Sequence, residues 1–512
     1  MKPIRLMAGI FTVGLWTMLS RVLGVVREIF ILAYIGPGPV MDAFVAAFRL
    51  PNMFRRFFAE GAFNAAFVPM FSKKVEAGED ATAFATDALN ALATVLLGLT
   101  ALAMIFMPAL VWATAGGFAG TDRFDLTVGF GRIVFPYIFF ISLAALFSGA
   151  LNATGHFAAA AAAPVLLNIM VIAAMACAAT FGGDIVTALI WAIPLAGIAQ
   201  LALVWVAADR AGVRLRPRLP RFSPEMKRLA VVAIPAALAG GVMQINLLVG
   251  QQVASHFDKA VGWLYAADRL YQLPLGVVGI AVGIVLLPDL ARRLQAHDDT
   301  GARQAFSRAG EIALALTIPA AVALIVIPLP LVSVLFQRGA TGPDDAAAIA
   351  VAVAIYGLGL PAFVLQKVLQ PLFFAREDTR SPFRYALWAM AVNAVLAIGL
   401  SQFIGWIAPA IATTVAGWVM VWMLARGSRQ FGDVARFDSR FRQRLWRIIA
   451  ASICMGAVLW GLMLVLGPSL GMAGWRYLAL LILVSLGIGS YFAFAQILGA
   501  LRISEIRATL RR

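Results

Sequence analysis

"PYIFFISLAALFSGALNATGHFAAAAAAPVLLNIMVI", residues 136–172, contains no Asp, Glu, Lys or Arg. A run this long and apolar holds two crossings of a ~30 Å hydrocarbon core, each taking about 20 residues. They centre near residues 138 and 168. The stretch also has a partner, "PAFVLQKVLQPLFFAREDTRSPFRYALWAMAVNAVLAI", residues 361–398. Pro136 to Asn168 is 32 residues, as is Pro361 to Asn393. Upstream, "FRLP…FVPMFSKK" (48–74) pairs with "DRLYQLP…LLPDLARR" (268–293). The chain therefore repeats itself at an offset near 220–225.

Working outward, apolar runs predict about 14 spans, centred near residues 18, 56, 98, 138, 168, 196, 242, 276, 320, 360, 393, 416, 457 and 488. The expected fold is an all-α polytopic membrane protein of two six-helix repeats plus two C-terminal helices. An even count per repeat keeps both copies in one orientation, which places a pseudo-two-fold axis along the membrane normal. The lobes expected are 1–210 and 211–427, the latter starting within a basic cytoplasmic linker at 209–228. Residues 428–512 then supply a linker and the extra pair. In that linker Phe437, Phe441 and Leu445 recur at i+4 among arginines, which predicts an amphipathic helix on the inner surface. A β-barrel is excluded by the lack of period-two alternation.

Composition agrees. The chain is 62% hydrophobic and 13% charged, against about 25% charged in soluble proteins. The start, "MKPIRLMAGIFTVGLWTML", is basic then apolar, but no small-x-small cleavage site follows, so it reads as a retained first helix. Cys177 and Cys454 both sit in apolar runs, and the three histidines are scattered, which excludes a disulfide framework or a thiolate metal site. No G-x-x-x-x-G-K-[ST] string is present, and no dinucleotide fingerprint surrounds "GLGLPA" or "LGIGSY". No cofactor is expected, and no catalysis.

The net charge of +16 is explained by topology rather than by nucleic acid. With the N-terminus inside, 28 Lys and Arg fall on the inner side and four outside: Arg123, Lys259, Arg338 and Arg476. That asymmetry predicts both termini in the cytoplasm. Nine basic residues remain within or at the edges of spans: Arg21, Arg27, Arg49, Arg55, Arg56, Arg132, Arg269, Arg308 and Lys367.

Each arginine at mid-helix costs about 2.5–3.5 kcal/mol on insertion scales, so these side chains should face water or partners. In "SRVLGVVREIF" Arg21 and Glu28 are seven apart, on one helix face. In the second span Asp42, Arg49 and Arg56 also recur at sevens, with Arg55 adjacent. Arg56 and Glu60 are placed to pair at i,i+4. Asp268 and Arg269 precede an expected kink at Pro274. The first repeat's spans hold six basic residues against three acidic ones, so the cavity should be positive and suit an anion, with arginine forks suiting phosphate. Arg55, Arg56 and Glu60 also fit a plain snorkelling helix surface. Arg308 with Glu311 reads as a surface pair at the inner end of its span, and Lys367 fits either role. Asn168, Asn246 and Asn393 fit helix–helix hydrogen bonds better than ion ligation. Asp42, near the outer end of its span, could pair with an arginine of the second half as an outer gate.

"SRVLGVVREIF", "DAFVAAFRLPNMFRRFFAEGAFNAAFVP" and "YAADRLYQLPLGVVGIAVGIVLLPDL" closely resemble the MurJ (MviN) lipid II flippase family. That family belongs to the multidrug/oligosaccharidyl-lipid/polysaccharide (MOP) exporter superfamily. The resemblance covers the whole chain. It implies movement of undecaprenyl-diphosphate-linked disaccharide pentapeptide to the outer leaflet of the bacterial inner membrane, for peptidoglycan synthesis. Cell-wall synthesis machinery is then a candidate partner. The family's cavity positions match Arg21, Arg27, Asp42, Arg55 and Arg269, with Glu28 where some members have Asp. Some members bind sodium between the seventh and eleventh spans through a carboxylate. The matching spans offer Asn246, Asn393 and Thr413 but no Asp or Glu, so coupling to membrane potential or protons is expected instead. The competing functions are export of another polyprenyl-linked glycan, drug/cation antiport, and a non-transporting scaffold. An arginine-rich cavity disfavours a cation, and a scaffold has no use for a mid-span Arg27.

Overall fold

The computed structural model describes residues 6–55, 62–219, 221, 223–472 and 474–500, with the side chains of 6–11, 62–65, 234–246 and 277–285 left aside. The chain divides into two compact units, 1–262 and 263–512.

The first unit contains α1 (Leu6–Tyr34), α2 (Pro39–Arg55), α3 (Ala62–Ala77), α4 (Ala81–Ile105) and α5 (Met107–Ala115). These are followed by α6 (Asp122–Val134), α7 (Tyr137–Ala153), α8 (Phe157–Phe181), α9 (Ile185–Arg210) and α10 (Pro224–Ala254). Next comes α11 (Ala260–Gln295), whose first turn belongs to this unit and which runs unbroken through Pro274. The second unit continues with α12 (Asp299–Val326), α13 (Pro328–Phe336), α14 (Pro343–Phe374), α15 (Arg380–Ile404) and α16 (Ala408–Gly427), then α17 (Ser439–Gly471) and α18 (Trp475–Ile497). Nine helical stretches among the described residues are long and apolar enough to cross a membrane.

The internal repeat is visible in local chemistry. Asp80 caps α4 by accepting the Ala83 N–H at 2.8 Å, and Asp298 caps α12 by accepting the Gly301 N–H at 2.8 Å. Both helices then break before a nine-residue helix with proline in its first turn. The breaks fall at Phe106 and Ile327, where Pro108 and Pro328 disfavour continuation. α8 and α15 are 25 residues each and carry the paired Asn168 and Asn393, both buried.

Polar side chains fasten apolar helices that have no hydrophobic reason to prefer one another over lipid. In the first unit, Gln200 of α9 donates to Ala163 O of α8 (2.8 Å) and accepts the Tyr137 hydroxyl of α7 (3.2 Å). In the second, Thr414 and Trp418 of α16 donate to Ile355 O and Leu358 O, and Gln366 of α14 returns a bond to Gly417 O.

The amphipathic surface helix is not what forms at 428–447. Residues 428–435 form 3-10 turns, and Ser439 onward is already α17. Phe437 stacks on Phe441 at 3.9 Å and on Phe306 of α12 at 4.6 Å. The apolar stripe thus meets α12. The arginines beside it follow, and Arg308–Glu311 is no surface pair. Glu311 is 5% exposed and accepts from Arg308 and from Arg444, with Arg440 Nε at 3.7 Å. Arg308 also reaches Asp438, the cap of α17. Higher up, the Tyr491 hydroxyl of α18 donates to Ala315 O at 2.6 Å.

Candidate functional site

On α1, Arg21 is half-buried and Arg27 Nη2 lies 2.6 Å from Glu28 Oε1. Glu28 is 3% exposed. Heptad spacing assigned Glu28 to the face of Arg21, and an ion pair also joins it to its neighbour in sequence. The long Arg27 side chain reaches around the helix to a carboxylate that burial makes costly to leave unpaired. Asn168 Nδ2 donates to Ser20 O at 3.0 Å and so joins α8 to α1, as its helix–helix reading required.

On α2, Asp42 is fully buried. Its Oδ1 accepts the Gly262 N–H at 2.8 Å, and its Oδ2 lies 3.6 Å from Arg123 Nη1. Arg123 in turn reaches Asp258 at 3.1 Å and lies over the Phe118 ring at 4.9 Å. A Cβ at Gly262 would sit 3.2 Å from Met41 Cγ and 3.3 Å from Asp42 Oδ1, so glycine permits this approach of α11's first turn. The carboxylate's cation within the first unit is Arg123, which sequence reasoning had treated only as a loop charge. The signal was available: Arg123 opens α6 and is one of only four basic residues assigned to the outer side. Arg49 Nη1 donates to Leu247 O of α10 at 3.3 Å, and Arg55 is half-buried in the last turn of α2. Arg56 and Glu60, with their expected pairing, lie outside the described residues.

In the second unit Asp268 and Arg269 each meet a side chain one turn away along α11. Gln272 donates to Asp268 along the helix, while the Arg269 guanidinium lies 4.4 Å from the Tyr265 ring centroid. A guanidinium lying against an aromatic ring is held there by the attraction of cation for ring face. Lys367 of α14 has no carboxylate within ion-pair distance among the described residues.

Of the residues weighed for sodium, Asn246 lies outside the described side chains, Asn393 is buried on α15, and Thr413 is half-buried on α16. Its neighbour Thr414 makes the bond to α14. Among the described residues no group of three His, Cys, Asp or Glu could hold a metal ion.

A sequence model described as lipid II flippase MurJ matches residues 31–485. The chain belongs to the lipid II flippase MurJ family. A probable lipid II flippase MurJ of Rhizobium tropici is 44% identical over 514 aligned residues, covering 98% of this chain and 96% of that protein. A solved MurJ in an inward closed conformation superposes with a TM-score of 0.79 at 25% identity, covering 95% of this chain and 98% of that one. An inward-facing multidrug-resistance transporter of the MATE family, in the MOP superfamily, shares the fold at a TM-score of 0.68 and 15% identity, over 80% of this chain and 94% of that one. The MurJ match spans both units.

Proposed function

We propose that this protein moves lipid II, the undecaprenyl-diphosphate-linked peptidoglycan precursor, from the inner to the outer leaflet of the bacterial inner membrane by alternating access. Membership of the MurJ family supports the substrate. The observation that carries the chemistry is Arg269, within an apolar helix, lying against Tyr265 with the neighbouring Asp268 bonded to Gln272. Arg21, Arg27 and Arg55 join it as ligands of the diphosphate and head group, and Arg56 and Glu60 extend the same set. Glu28 and Asp42 act through their partners. Glu28 sets Arg27, and Asp42 holds the first turn of α11 through Gly262 and Arg123. No bond is made or broken in such a step, so the work is recognition and gating.

Both termini are assigned to the cytoplasm by the loop charge. The polyprenyl tail remains in lipid, since withdrawing it costs about 0.8 kcal/mol per CH₂. α17 and α18 offer it an apolar flank that is open at Gly461 and Gly489. Drug/cation antiport is disfavoured because the buried Glu28 and Asp42 already lie beside Arg27 and Arg123. Cell-wall enzymes that use the delivered precursor are the partners this reading implies. The direct test is replacement of Arg269 by Ala and by Lys in a flippase-depleted strain. Both should fail to sustain growth while still inserting. Full complementation by Lys would overturn bidentate recognition at this position.

A further inference from the structure

The C-terminal end of α9 and the chain just after it form a pocket of about 610 Å³, lined by none of the residues proposed for transport. Trp205, Asp209, Arg210, Arg214 and Arg216 line it. The segment 213–219 has no regular secondary structure, and burial alternates over 213–216. Val213 and Leu215 are buried in the first unit's core, while Arg214 and Arg216 face out. This backbone is fastened to α4. The buried Asn90 accepts the Arg218 N–H at 2.7 Å and donates to Arg216 O at 3.3 Å, and Arg218 pairs with Asp87 at 2.6 Å. Arg210, Arg214 and Arg216 make no ion pair among the described residues. Trp205 is held against Phe147 at 5.2 Å, with no hydrogen-bond acceptor for its indole N–H among them.

We infer that this pocket binds the head group of an anionic phospholipid. Three guanidinium groups against one carboxylate favour a phosphodiester, and a fixed backbone lowers the ordering cost of holding it. Asp209 is placed to accept a head-group hydroxyl. A lipid, rather than a soluble phosphate, is indicated by what leads to the pocket. Trp191, Leu195, Ile198 and Val206 are each 46–51% exposed and fall on one face of α9. That apolar stripe ends where the arginines begin, so an acyl chain and a head group are served together. An interfacial Trp beside a basic pocket is the pattern expected at the lipid boundary. Assigning the inner leaflet rests on the proposed orientation, in which the loop charge places the linker 209–228 in the cytoplasm.

The test uses the purified full chain in detergent, titrated with dioleoyl phosphatidylglycerol and read by native mass spectrometry. Arg214→Ala/Arg216→Ala and Arg214→Glu/Arg216→Glu, both at exposed positions, should retain the lipid roughly ten- to thirtyfold less well, with unchanged thermal unfolding in neutral lipid. Retention equal to wild type in both variants would overturn the site. Glycerol 3-phosphate should not displace the lipid at equal concentration, and if it does, the pocket serves a soluble phosphate and the lipid assignment fails. Leu219→Cys in a cysteine-free background should label only from the cytoplasmic face, and labelling from outside would overturn the inner-leaflet assignment. Lipid II transport by the same variants is measured separately, so failure of this site is distinguishable from failure of the flippase reading.

Discussion

At the scale of single residues, several charges in this chain have specific partners. Glu311 is the clearest case. Glu311→Ala leaves Arg444, itself 8% exposed, without its carboxylate. Breaking a buried pair from one side costs about 3–5 kcal/mol, so a drop in thermal midpoint of several degrees is expected, and an unchanged midpoint would remove this network from the account. Asp438 gives a pH signature outside the spans. Burial pushes its carboxyl up, but the Phe441 amide and the Arg308 guanidinium outweigh that and hold it below its ordinary value of 3.8. A depressed carboxyl contributes stability fully above the unfolded value, and that contribution is lost as pH falls through the lower folded value. The midpoint difference between wild type and Asp438→Asn should therefore persist from pH 7 to 5 and close toward pH 3. Loop charge and heptad spacing made the buried arginines legible. They could not reveal that Glu311 meets Arg444, because 133 residues separate them and only folding brings them together. The i,i+3 neighbour Arg308 was visible and suggested a solvated pair.

At the scale of elements, hydropathy located the long helices because length and apolarity are what a bilayer requires. It missed α5 and α13, since a proline break inside an apolar run leaves the mean hydropathy unchanged. It also misjudged the region before α17, where a stripe of Phe at i+4 suits an aqueous interface and a neighbouring helix equally well. The glycines of the last two helices divide by environment. A Cβ at Gly487 would lie 2.6 Å from Leu459 Cδ2, and one at Gly456 would lie 2.8 Å from Val322 Cγ1. Gly461 and Gly489 meet nothing within 4 Å. Gly487→Val should thus cost about 1–3 kcal/mol by overpacking, whereas Gly489→Val should be nearly neutral in unfolding. If Gly489→Val nonetheless slows transport of full-length lipid more than of a short-tailed analogue, the open face serves the tail. Equal slowing of both would assign it to packing.

At the scale of the whole molecule, the two compact units carry different chemistry. The first holds the arginines of α1 and α2, and the second holds Arg269 and then adds α17 and α18. The repeat was legible because Pro136 and Asn168 return as Pro361 and Asn393. With no carboxylate among Asn246, Asn393 and Thr413, transport should continue when sodium is removed at fixed membrane potential, and arrest would refute that expectation. The central claim is that this chain presents lipid II to the outer leaflet through its buried arginines. It is tested most directly in a strain whose own lipid II flippase is replaced by this chain, by adding a lipid-II-cleaving enzyme from outside. Lipid II should be cleaved with the wild-type chain, and should stay protected and accumulate with Arg27→Ala or Arg269→Ala at equal membrane abundance. Protection with the wild type, or cleavage at the wild-type rate with both variants, would contradict the account.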